Sequence, residues 1–156
     1  MTEFERTLVI IKPSAVQRGL IGEIITRFER KGLHISALKM FALNEEICDE
    51  HYSHHSDKPY FPTIVKSMMA SPVVLMCLEG KKAIEVVRMM AGTTNGCNAA
   101  PGTIRGDYCL SYQENIIHAS DSRESAEEEL ARLFSKEDFF EYDTPLKPFL
   151  YSEDEV

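Results

Sequence analysis

Near its start the chain carries a short β-branched apolar run, Thr7-Leu-Val-Ile-Ile11, of the kind that fills a buried strand. Pro13 stops it, because proline restricts the residue before it and cannot continue a ladder, so Lys12 stands at a strand end. Ile21, Ile24, Ile25 and Phe28 then recur at i, i+3, i+4 and i+7, one apolar helical stripe that Gly32 can close in a left-handed cap. Residues 33–43 read as a second strand and 45–55 as a polar helical stretch. A helix over 61–70 is closed by Ser71-Pro72, and the buried-strand run 73–78 ends at Glu79-Gly80. Ala83, Val86, Val87 and Met90 share a helical face from which Arg88 points away. Residues 115–119 predict a short last strand. Asp121 with Glu124 three residues on predicts the start of a helix whose apolar face is Ala126, Leu130, Leu133 and Phe134.

This order of strands and helices fits a ferredoxin-like split βαβ arrangement better than a doubly wound parallel sheet. The expectation is an α+β single-domain sandwich with a four-stranded antiparallel sheet covered by helices. Residues 92–112 hold four glycines and a proline with no sustained period, and irregular segments of that length in a small domain are usually functional. The expected division is a catalytic domain over 1–137 and an acidic tail over 138–156.

Composition narrows the class. A chain of 156 residues with 44% hydrophobic residues folds as one domain without a disulfide or metal staple. Cys48, Cys77, Cys97 and Cys109 form no C-x-x-C pair, which fits buried or inert thiols in a cytoplasmic protein. No apolar run approaches the roughly 20 residues that span a bilayer, so no membrane partner is expected. The formal net charge of −8 speaks against nucleic acid. That charge is uneven: residues 121–156 hold 12 acidic and 4 basic residues, leaving 13 of each in residues 1–120. The body of the chain is neutral, and a local positive pocket is free to form in it.

Neither G-x-x-x-x-G-K-[ST] nor G-x-G-x-x-G occurs, so a P-loop or Rossmann phosphate site is excluded. What remains is a set of cations and donors at element ends: Lys12, Arg88, Thr94, Arg105, Asn115 and His118, able to converge on a polyphosphate. His118 lies just upstream of a helix N-terminus, which favours an anion beside it. A neutral imidazole is a competent nucleophile if an acceptor holds its other nitrogen, and Glu129 in the following helix can reach back to do so. A lone histidine beside Ile-Ile is nonetheless more often structural. His51, His54 and His55 have helical metal-ligand spacing but no evident further ligand, and read as a solvated face. The methionines read as fillers of core gaps.

Six segments change the balance. Thr7-Leu-Val-Ile-Ile-Lys-Pro13, Arg18-Gly-Leu-Ile-Gly22, His51-Tyr52, Lys58-Pro-Tyr-Phe-Pro62, Ala100-Pro-Gly-Thr-Ile-Arg-Gly-Asp107 and Asn115-Ile-Ile-His-Ala-Ser-Asp-Ser122 resemble, in register over residues 6–134, a nucleoside diphosphate kinase. The resemblance implies transfer of the γ-phosphate of a nucleoside triphosphate such as ATP to a nucleoside diphosphate such as GDP. It implies a ping-pong route through a phosphohistidine, low base specificity and a role in maintaining nucleotide pools. Carried over by position, His118 is the nucleophile, Glu129 its partner, Ser120 a support of that pair, and Tyr52 a neighbour of the moving phosphoryl group. Lys12, Arg88, Thr94 and Arg105 hold phosphates, Lys12 and Asn115 also contact the sugar, and Tyr60 and Ile64 form the base platform. Mg²⁺ is implied as cofactor, held mainly by nucleotide phosphates rather than by protein side chains. The family assembles as hexamers or tetramers, and the 92–112 loop resembles the one that meets neighbours at a threefold axis, so a hexamer is expected.

Four positions depart from the family pattern. Tyr60 stands where Phe is common, Tyr112 near the base where a small aliphatic residue is usual, Ala119 for a frequent Gly and Ser14 for a frequent Asp. The first two bear on base preference. A regulatory module of the same fold and a phosphohistidine mutase or phosphatase are the competing classes.

Overall fold

Strand β1 (Phe4–Ile11) is buried on both faces from Thr7 onward, because its alternate side chains enter two separate cores. Val9 and Ile11 pack with the helices over residues 21–31 and 83–91, whereas Leu8 and Ile10 pack with those over 45–51, 61–69 and 123–133. The computed structural model describes residues 4–155. Along it run β1, α1 (Pro13–Gln17), α2 (Ile21–Lys31), β2 (His34–Phe41), α3 (Glu45–His51), α4 (Phe61–Met69), β3 (Val73–Lys81), α5 (Ala83–Ala91), α6 (Ile104–Tyr108), β4 (Ile117–Ala119), α7 (Arg123–Leu133) and α8 (Lys147–Leu150). The sheet order is β2-β3-β1-β4 with every neighbouring pair antiparallel, as the strand-helix alternation predicts.

Several boundaries differ from expectation for physical reasons. Gly80 does not end β3: the strand continues to Lys81 because β1 still pairs there, Phe4 opposite Lys81. The last strand starts at Ile117, not at 115, because Ile116 sits at φ 63°, outside strand geometry. The polar stretch 45–55 is α3, capped by the Asn44 side chain on Ile47 N–H, followed by the short turn Ser53–His55. Ser122, not Asp121, caps α7, its hydroxyl accepting from Ser125 N–H at 3.1 Å. The glycine-rich segment 92–112 contains a helix after all, α6, capped by Thr103. Gly106 on it is required sterically: an added Cβ would lie 1.8 Å from the Ala100 carbonyl oxygen. Gly32 closes α2 at φ 99°, as its position predicts.

The thiol and methionine readings hold in part. Cys48, Cys77 and Cys109 are buried and Cys97 is exposed. Met68 and Met76 fill the core, while Met69 and Met89 face solvent.

The segment beyond residue 137 lies back along the near end of the sheet. Phe140 N–H donates to Ser36 O at 2.8 Å and Tyr142 hydroxyl to Ile35 O at 2.7 Å, both on β2. Tyr151 meets Phe4 edge-on at 5.4 Å, and Glu155 pairs with Lys81 at 2.7 Å. The opposite end of β1, where Lys12 emerges, is left to the cavity described next. No described helix is long and apolar enough to cross a membrane.

Candidate active site

The site is assembled where β1 ends and β4 passes beside it. Ile10 pairs with His118 across this ladder, so His118 projects to the same face as Ile10, toward α7. Glu129 lies two turns into α7 and accepts from His118 Nε2 at 2.7 Å. A carboxylate only accepts, so Nε2 carries the proton and Nδ1 is the nitrogen left with a lone pair. Ser120 donates to the same Glu129 oxygen at 3.2 Å and receives Leu8 N–H at 3.3 Å, which ties the carboxylate to β1. Ser120 is fully buried behind the imidazole.

The last strand reaches this geometry through a strained residue. Ile116 is β-branched, fully buried and at φ 63°, a conformation such residues rarely take. Its surroundings fix it from both sides. Ile116 O accepts Lys12 N–H at 3.0 Å, while the Arg105 guanidinium donates to Asn115 O at 3.1 Å, Ile117 O at 2.6 Å and Gly92 O at 2.7 Å. Arg105 thus braces the entry to β4 with one side chain. Burial lowers its pKa to about 10, with Arg88 adding repulsion, and it remains cationic at neutral pH.

Lys12 Nζ donates to Asn115 Oδ1 at 2.7 Å, and Asn115 Nδ2 donates to Tyr112 O at 2.8 Å, so cation, amide and loop are linked. Burial, with Arg105 nearby, lowers the Lys12 pKa to about 8. Arg88 reaches the Ala119 carbonyl at 3.3 Å and is otherwise exposed toward the same space. These groups, with Thr94, Tyr52, Tyr60, Ile64 and Tyr112, line a cavity of about 790 Å³ with His118 and Glu129 on its wall. Every site residue expected from the sequence lines it except Ser120, which stands behind the imidazole.

The Tyr52 hydroxyl is buried and has no hydrogen-bond partner among the described residues. Burial raises its pKa further above the ordinary phenol value, so it stays a neutral donor. A buried hydroxyl without a partner on a cavity wall is suited to a ligand oxygen.

His51, Arg132 and Asp121 also line the cavity, and the sequence does not mark them as site residues. His51 stands edge-on to His118, ring centres 4.8 Å apart, and its Nδ1 accepts from Arg132 Nη1 at 3.1 Å. A guanidinium can only donate, so His51 is neutral at Nδ1, and burial with the neighbouring histidine and arginine holds its pKa near about 2. The helical spacing of His51, His54 and His55 suggested a shared solvated face, but α3 ends at His51 and turns that ring inward. Asp121, expected as a helix cap, instead lines the cavity.

Among the described residues, His51, His118 and Glu129 form the group that could hold a metal, their ligand atoms all within 4.8 Å. Two imidazoles and one carboxylate do not suit magnesium, which takes oxygen ligands and keeps much of its water.

An antiparallel sheet of this order, with a carboxylate-bound imidazole and buried cations around one cavity, defines the class as a phosphotransferase acting on nucleotides. Comparisons with known proteins agree. The family model described as nucleoside diphosphate kinase matches residues 5–139. The nucleoside diphosphate kinase of Parabacteroides distasonis is 58% identical over 97% of this chain and 99% of its own. That of Pyrococcus horikoshii is 55% identical over 91% and 92%. The structure of the Halobacterium salinarum nucleoside diphosphate kinase in complex with CDP superposes with a TM-score of 0.93, at 42% identity over 96% of this chain and 99% of that one. The chain belongs to the nucleoside diphosphate kinase family. It is an enzyme that transfers phosphate from a nucleoside triphosphate to a nucleoside diphosphate.

Proposed function

We propose that His118 carries the phosphoryl group between the two nucleotides, in a ping-pong cycle with Nδ1 as the nucleophile. The observation that carries this reading is the 2.7 Å bond from His118 Nε2 to Glu129, which fixes the tautomer with Nδ1 unprotonated. In the first half-reaction Nδ1 attacks the γ-phosphorus, the bond to the bridging oxygen breaks, and the diphosphate leaves. The imidazole then carries positive charge, which Glu129 steadies from the far side with Ser120 holding its oxygen. The second half-reaction reverses these steps onto a new diphosphate.

Such transfer depends on positioning and on spread charge more than on covalent chemistry. Lys12, Arg88 and Arg105 supply three cations and Thr94 a hydroxyl for the phosphates. The unpartnered Tyr52 hydroxyl serves the moving phosphoryl group. Arg105 spends three N–H groups on backbone carbonyls, so only its remaining two can reach a phosphate. Lys12 and Asn115, already bonded, present donors to the sugar. Tyr60 and Ile64 stack the base with Tyr112 at the mouth. Stacking serves every base, and low base specificity follows.

Magnesium enters on the nucleotide and supplies charge neutralisation to its phosphates. The protein works in the cytoplasm as a hexamer, with a tetramer the second choice and neither membrane nor nucleic acid as a partner. Residues 1–137 are the catalytic unit and 138–156 an appendage. Initial rates test the mechanism. Double-reciprocal plots against one nucleotide at several fixed levels of the other should be parallel; intersecting lines would require both nucleotides bound at once and end the shuttle reading.

A further inference from the structure

Tyr60 is the N-cap residue of α4 yet makes no side-chain cap bond there, and its ring is 39% exposed on the cavity rim. Left alone, such a ring samples several rotamers. Its hydroxyl is not left alone, for it lies 2.9 Å from His55 Nδ1, with the rings 5.6 Å apart. His55 is itself held. It ends the short turn Ser53–His55, its N–H donates to Tyr52 O at 2.8 Å, its carbonyl receives Lys58 N–H at 2.9 Å, and its ring packs on His54 at 4.0 Å. Burial, His54 and Lys58 lower its pKa against the opposing pull of Asp57, so a neutral nitrogen faces the phenol.

We infer that His55 is a positioning residue for nucleotide binding: through the Tyr60 hydroxyl it holds the base-stacking ring in one orientation before the nucleotide arrives. This rests on the reading of Tyr60 as the base platform. A phenylalanine at position 60 offers nothing for His55 to hold, so the hydroxyl has a purpose apart from contact with the base. Ordering the ring in advance removes a cost otherwise met on binding, roughly two- to tenfold in affinity for one immobilised side chain. The cost removed is that of ordering one ring, so it is the same for purine and pyrimidine nucleotides that stack on it. Chemistry at His118 does not pass through this pair, so KM carries the effect and kcat does not.

The test is steady-state kinetics and calorimetric binding of GDP and CDP to the full chain. The variants are Tyr60→Phe, His55→Leu, the double variant, His55→Asn and Tyr60→Ala, with thermal melts confirming that each is folded. Tyr60→Phe and His55→Leu should each raise KM about two- to tenfold, for GDP and for CDP alike. The double variant should be no worse than either single one, and His55→Asn, whose amide stands where Nδ1 stands, should restore most of the loss. Unchanged KM in either single variant, additive losses, or a fall in kcat at constant KM overturns the inference. Tyr60→Ala separates the two readings. If it raises KM while the other variants do not, the platform stands and the His55 role falls; if it leaves KM unmoved, the platform falls and takes the His55 role with it.

Discussion

Lys12 shows how the site sets a single residue against its own stability. Burial and Arg105 lower its pKa to about 8, so the free enzyme holds that proton below pH 8 and loses it above. If Lys12 holds the phosphates as proposed, kcat/KM should fall as pH rises through about 8, a limb that pH-rate profiles on free enzyme will report. Lys12→Arg, which stays charged, should remove that limb at some loss of fit. In the unfolded chain the same lysine keeps its proton to about 10.5, so between the two values the unfolded state binds more protons. Stability from this residue accordingly rises with pH across that window and is least near neutrality. Lys12→Gln should melt at or above the parent temperature at pH 7 while losing about 10- to 150-fold in kcat/KM, the range for one charge-assisted bond.

Tyr52 follows the same logic without a charge. Its buried hydroxyl has no partner in the free protein, so removing it costs the fold nothing. Tyr52→Phe should leave the melting temperature unchanged or higher and slow phosphoryl transfer about tenfold or more. A drop in stability with activity intact would mean that the hydroxyl belongs to the fold.

At the scale of elements, the two arginines part company. Arg88 touches one carbonyl from an exposed helix face, whereas Arg105 is buried and holds three carbonyls around the strained Ile116. Arg105→Ala should cost about 3 kcal/mol or more of stability, since buried acceptors lose their donors. Arg88→Ala should reduce nucleotide affinity and leave denaturation curves nearly unmoved. The same elements show what the sequence makes legible. β1 is readable as an uninterrupted β-branched apolar run, and α2 and α7 because period-3.6 burial is local and continuous. The β4 start is not, because nothing in Asn115-Ile-Ile-His118 announces that the first isoleucine will sit at φ 63°. Ser122 and Asp121 are both good caps, and which one serves depends on how β4 delivers the chain. Of the site residues, His118, Lys12 and Arg105 are readable as chemistry-bearing groups at element ends, and Glu129 as an acceptor in the helix after His118. His51 and Arg132 are not, because their contact joins α3 to α7 across the cavity and no spacing encodes it.

For the whole molecule, charge and architecture point the same way. The acidic excess sits in residues 121–156, and beyond 137 the chain straps the sheet end away from Lys12 through β2, Phe4 and Lys81. Tyr142→Ala removes the bond to Ile35 O and the ring contact with His34, centres 4.2 Å apart. It should lower the melting temperature by about 2–4 °C for each kcal/mol lost and leave kcat in place, because the strap and the cavity lie at opposite ends of β1. A loss of kcat instead would connect the tail to catalysis.

The proposed cycle requires that His118 itself carry the phosphate. Incubation with γ-labelled ATP and magnesium, removal of free nucleotide, and exposure to acid or base measures it directly. About one label per chain should be retained, stable to base, lost in acid, passed to GDP on its addition, and absent from His118→Ala. A folded wild-type enzyme that turns over without retaining label, or a His118→Ala variant that is labelled like the parent, contradicts it.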